Sequence, residues 1–168
     1  METWAAQVVM VPRAVRAPRE RLTLLYTGAM EREDFEKLVV DGYEQLPEWA
    51  KKKVQNVALL VEDEPTGEVR AFHGLSEHET LLGHYHGIPV TARGEEYGGL
   101  VMPDTITIYQ EPILDAAEEE CPPEASDEIY LGHVRRIVAE TVWHEYAHYL
   151  GMDEHEVRSR EDKRDNKI

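Results

Sequence analysis

The sequence predicts an α+β domain in which a small mixed sheet packs on helices, one of them long and bearing two histidines. Three observations point there. Apolar residues recur at helical spacing between residues 31 and 46. Three short apolar or alternating segments follow between residues 57 and 109. A second stretch of helical spacing runs from Ser126 to about Leu150. Helix, three strands and a long helix, in that order, give one sheet-and-helix layer pair.

The domain is expected to occupy residues 30–157. Residues 1–29 hold four arginines against two glutamates, whereas the rest of the chain is strongly acidic. Pro12 and Pro18 interrupt this segment, and no period is sustained across it. It reads as an extension without a fold of its own: a flexible basic arm, or the product of a start assigned upstream of Met30. A transit peptide fits it least well. Residues 158–168 are nearly all charged or polar and read as a disordered tail.

Phe35, Leu38, Val39, Tyr43 and Leu46 form one apolar helical face. Pro47 ends that helix and opens a short one, in which Trp49 and Val54 pack and Lys51, Lys52 and Lys53 face water. Val57 to Val61 is continuously apolar, as in a strand buried on both faces. The run Glu62 to Gly67 closes it with turn chemistry. Leu81 to His86 reads as a second strand, with His84 and His86 facing the same way. That pair can chelate a metal, although two ordinary side chains of an edge strand are the commoner outcome. Thr105 to Tyr109 alternates as a half-buried strand, with Ile106 and Ile108 on one face. A short helix follows at Pro112 to Glu119, then an acidic loop through Ala125. Ser126 suits an N-cap, and Asp127 and Glu128 complement the helix dipole. Leu131, Val134, Val138 and Val142 then face the core, and the same side brings His144 and His148 to a cleft.

The segment His144-Glu145-Tyr146-Ala147-His148 is HExxH. Two histidines four apart project from one helix face and can share a metal ion. Glu145 is turned from them by about 100° and stands beside the metal. In this arrangement zinc acidifies water and the glutamate takes the proton. A catalytic zinc needs a third protein ligand. Gly151 can end the helix and turn the chain back. Glu154, three residues further on, is the best-placed candidate; His155 and Asp153 are alternatives by chemistry.

The pattern HExxHxxGxxE resembles the zincins, with Glu154 where the metzincin signature has His or Asp. It is closer to a family of small, mostly bacterial zincin-like metallopeptidases, the minimal zincins, whose pattern is HExxHxxGxxD. The resemblance also covers Leu81 to Thr91 and Pro103 to Tyr109, which look like the strands before the metal helix, and runs from about Met30 to about Val157. A metzincin's methionine-containing turn finds no room before Ile168, a departure from that signature. The resemblance implies a minimal zincin fold and a zinc-dependent peptidase. His144, His148 and Glu154 would bind Zn²⁺, Glu145 would act as general base, and a peptide or protein would be the substrate. It implies substrate bound as an added strand along a sheet edge above the zinc. Tyr85, His86 and Tyr109 are then candidates to stabilise the oxyanion. A zincin-shaped module that holds metal without turning over peptide is the alternative. The His₂-carboxylate set also suits iron.

Composition narrows the rest. With 168 residues, 42% hydrophobic and 31% charged, the chain is long enough for one domain with a core. A net charge of −16 repels phosphate backbones and argues against nucleic acid. No segment approaches the ~18–20 apolar residues of a membrane span. The lone Cys121 forms no internal disulfide and suits a reducing cytoplasm; its acidic neighbours disfavour the thiolate.

Overall fold

The computed structural model describes residues 10–12, 30–93, 102–153, 155–157 and 159. Helix α1 is Arg32–Glu44, and the short α2 is Glu48–Lys51 with Pro47 as its N-cap. Strand β2 is Val57–Glu62, following the short N-terminal β1 at Met10–Pro12. Helix α3, Gly67–Phe72, leads to β3 at Glu79–Leu81 and β4 at Gly83–His86. A single 3-10 turn at Val90–Ala92 precedes β5 at Asp104–Tyr109. Helices α4, Gln110–Glu120, and α5, Asp127–Tyr149, complete the order. The architecture is α+β, as the pattern predicted.

The main sheet has the order β2-β5-β4. β2 runs parallel to β5, with Val57 opposite Asp104 and Glu62 opposite Tyr109. β4 runs antiparallel to it, with Gly83 opposite Ile108 and His86 opposite Thr105. Alternation puts Gly83 and Tyr85 on the face that carries Ile106 and Ile108. That face packs on α5. Helices α1 and α4 flank α5 on its other sides. The helix is therefore buried all round from Thr141 to Tyr149. Phe35, Val39 and Leu46 supply the apolar face of α1 and enter this core, with Leu38 and Tyr43 at its margin.

Ser126 caps α5 by accepting from the Ile129 amide at 3.4 Å. At the other end the helix closes in a two-bond Schellman turn. The Met152 amide reaches Ala147 O at 3.0 Å and the Gly151 amide reaches His148 O at 2.9 Å. This requires positive φ at Gly151, which is 86°.

Several expectations are corrected. β2 is an edge strand and only partly buried, with Leu60 exposed, because parallel pairing with β5 uses one side alone. The single strand expected over 81–86 is two, β3 and β4, broken at Leu82. β5 is buried on both faces, not one: it is the central strand, and Thr107 and Tyr109 are buried with Ile106 and Ile108. Helix α3 was not anticipated; Thr66 caps it, accepting from the Val69 amide at 3.3 Å. Its last turn lays the His73 ring against His84, which helps close the outer face of β4. Lys51 turns to Glu44 and Glu48 rather than into water.

The N-terminal extension is not wholly without structure. Met10–Pro12 pairs antiparallel with β3, with Val11 opposite Thr80, and Val11 touches the core. Residues 1–9 and 13–29 lie outside the described residues, as do Arg158 and 160–168 of the expected tail; Ser159 is helical. Among the described residues no helix is long and apolar enough to cross a membrane.

Candidate metal centre

The C-terminal half of α5 delivers the side chains of His144, Glu145 and His148 into the apolar core. His144 and His148 are buried, and Glu145 is wholly buried. The i, i+4 spacing sets the two imidazoles one above the other, with ring centroids 4.7 Å apart. Their Nε2 atoms point at each other across 3.0 Å. Two nitrogens on one tetrahedral zinc, each at about 2.0–2.1 Å, stand roughly 3.3 Å apart. The pair therefore fits one metal with little adjustment. The Schellman turn also fixes the tautomer. It folds the Met152 carbonyl back to accept from His148 Nδ1 at 3.2 Å. Nδ1 then carries the proton, and Nε2 offers a lone pair.

The chain after Gly151 returns to the core. Asp153 and Glu156 make a reciprocal cap. The Glu156 amide donates to Asp153 Oδ1 at 2.8 Å, and the Asp153 amide donates to the Glu156 carboxylate at 3.1 Å. Val157, wholly buried, pins the turn that follows. The Asp153 carboxylate is thus engaged as a cap, and His155 is exposed. Glu154, the expected third ligand, lies outside the described residues. Among the described residues no group of three metal-binding side chains gathers.

Glu145 reaches its place through a residue the sequence did not single out. An added Cβ at Gly83 would stand 2.8 Å from Thr141 Cγ2 and 2.9 Å from both Cγ and Oε1 of Glu145. Strand β4 lies flat on the helix there because its residue has no side chain. A glycine inside a strand pattern was the available signal. Gly83→Ala is expected to push the Glu145 carboxylate aside. It should cost about 1–3 kcal/mol of stability, as overpacking does. Thermal melting would measure the loss.

The three oxyanion candidates separate. Tyr85 is buried on the helix-facing side of β4 and donates its hydroxyl to Asp104 Oδ2 at 2.8 Å, so it is committed elsewhere. Tyr109 is buried; burial, then the charges of Glu62 and Glu145, holds its phenol well above the usual range and keeps its proton on. His86 is exposed at the end of β4.

His84 and His86 share the opposite face, with rings 6.1 Å apart, and His73 stands 4.9 Å from His84. Burial, then the neighbouring His73 and His86, pushes the His84 imidazole down to about 4. A histidine whose folded pKa lies below its unfolded value of about 6.5 binds fewer protons when folded. Its contribution to stability is then intact above pH 6.5 and is lost as pH falls toward 4. Replacing His84 with Asn should flatten this acid limb. The check is the difference between variant and wild-type denaturant midpoints at pH 5 and pH 7.5, which should change sign or shrink at the lower pH.

With this geometry in place, comparison with known proteins adds one finding. A family model described as a zincin-like metallopeptidase matches residues 54–164, well over half of the chain. The match spans β2 to the turn after α5 and so contains all the residues above. No curated protein matches the chain.

Proposed function

The chain belongs to the zincin-like metallopeptidase family, and from that premise we propose that it is a zinc-dependent peptidase. In this reading His144, His148 and Glu154 hold the metal and Glu145 moves the proton. The observation that carries it is the convergence of two buried Nε2 atoms beside a buried glutamate, with one imidazole locked by a backbone carbonyl. Zinc held there supplies a Lewis acid that polarises the scissile carbonyl and acidifies water. Glu145 accepts the proton of the attacking water and passes it to the leaving amine. Its burial keeps bulk water away from that transfer, and Gly83 leaves room for its carboxylate. His148 keeps one tautomer because Met152 O holds Nδ1.

The substrate is a peptide laid along β4. β4 ends the three-stranded sheet, and Gly83 sets its backbone against Glu145. An extended peptide added to that edge would bring a carbonyl past the imidazoles. Tyr109 and His86 remain the candidates for the oxyanion.

The experiment has two steps. Elemental mass spectrometry of protein purified without added metal should find close to one zinc per chain. A peptide library should then give defined products with the wild type. Zinc without turnover would favour the binding module; absence of zinc, even after addition, would overturn the reading.

A further inference from the structure

A buried ion pair lies close to the end of the metal helix, on no element that carries a candidate ligand. Asp104 opens β5 and is 4% exposed. It pairs with the Arg93 guanidinium and accepts from the Tyr85 hydroxyl. Room for its carboxylate exists because residue 87 is glycine; a Cβ there would run into it. Arg93 makes further contacts. Its Nε donates to Ile88 O at 2.9 Å, which closes residues 88–93 into a loop. Its guanidinium lies 5.0 Å from the centroid of the Tyr149 ring, the residue after His148. Tyr149 is itself fixed, since its hydroxyl meets the Gln55 amide at 3.0 Å and the carbonyls of Lys53 and Gln55 at 3.2 Å.

The loop so closed bears on the metal centre. Thr91, within it, sits directly against Gly151: any side chain at Gly151 would collide with the Thr91 hydroxyl. Gly151 is the pivot of the turn that sends the chain back from His148, and Met152, next in line, holds the His148 tautomer. A buried ion pair stabilises no more than apolar groups of the same size, and breaking it leaves a charge stranded. Its place here, bridging β5, the 88–93 loop and the last turn of α5, gives it a different use.

We propose that Arg93 and Asp104 are positioning residues for the metal: together they clamp the 88–93 loop onto the Gly151 turn and so fix the approach of the returning chain to His144 and His148. This rests on the zinc reading above. The pair touches neither metal nor substrate. Its effect on the metal should match other groups that orient ligands from behind, a loss of about 10–100-fold in affinity.

The test is the zinc dissociation constant, by chelator competition, of three proteins: wild type, Arg93→Met/Asp104→Asn and Arg93→Lys. The double variant removes both charges together and keeps an acceptor for Tyr85. Arg93→Lys keeps the charge but loses the guanidinium over the Tyr149 ring. The double variant should bind zinc about 10–100-fold more weakly, with hydrogen exchange accelerated at the Gly151 and Met152 amides and apo melting close to wild type. Arg93→Lys should fall between. Dissociation constants within twofold of wild type in Arg93→Lys and in any folded double variant would overturn the proposal. If the double variant does not fold, Arg93→Lys alone decides. A wild type that takes up no zinc would instead sink the function reading, and the clamp's role toward metal with it.

Discussion

Glu145→Gln should hold zinc as the wild type does and hydrolyse peptide about 10²–10⁴-fold more slowly, the usual share of a positioned general base. Glutamine is isosteric, so it fits the space that Gly83 leaves, but it accepts no proton at neutral pH. Glu145 follows His144 on α5 and is wholly buried beside it. It lies beside the candidate metal centre without sharing the face of the two imidazoles. Zinc content by elemental analysis and turnover at saturating peptide separate the two roles. A variant that loses zinc would show that Glu145 supports the ligands. A variant that keeps full activity would remove it from the mechanism.

The pairing of His144 and His148 on one face of α5 was legible because its geometry is local. The spacing of His144 and His148 fixes their shared face within one helix. Ser126 and Gly151 mark the ends of that helix through hydrogen bonds and φ angles that span a few residues. The face of α1 was equally plain, since Phe35, Val39 and Leu46 need only one helical period to find the core.

What escaped depends on partners distant in sequence. Whether Val57 to Val61 is central or at an edge is decided by which strands flank it, and a run of apolar residues reads the same either way. Thr105 to Tyr109 alternates like a half-exposed strand, yet β2 and β4 on its two sides bury it. Asp104 and Arg93 are eleven residues apart, and nothing in their spacing announces an ion pair. Gly83 matters only because α5 passes beneath it. The sites that local pattern missed are those where strand and metal helix meet.

The third ligand is decided by three substitutions around the Gly151 turn. Glu154→Ala should raise the zinc dissociation constant beyond the about 10–100-fold that groups behind the ligands are worth. His155→Ala should leave it near wild type, because that side chain is exposed. Asp153→Ala should act differently again. Its carboxylate caps the next turn through the Glu156 amide, so its loss should cost about 1 kcal/mol of stability and reach the metal only through a looser return of the chain. The order follows from how that return is held. Gly151 reverses the chain, the Asp153–Glu156 cap starts the new turn, and Val157 anchors it in the core. In sequence, Glu154 falls between the Asp153 cap and the Val157 anchor. Its acidic oxygens would complete a His₂-carboxylate set of the kind catalytic zinc takes. Chelator competition on the three variants ranks them directly. If His155→Ala proves the damaging one, the ligand is His155, and the chain returns one residue later than this register places it.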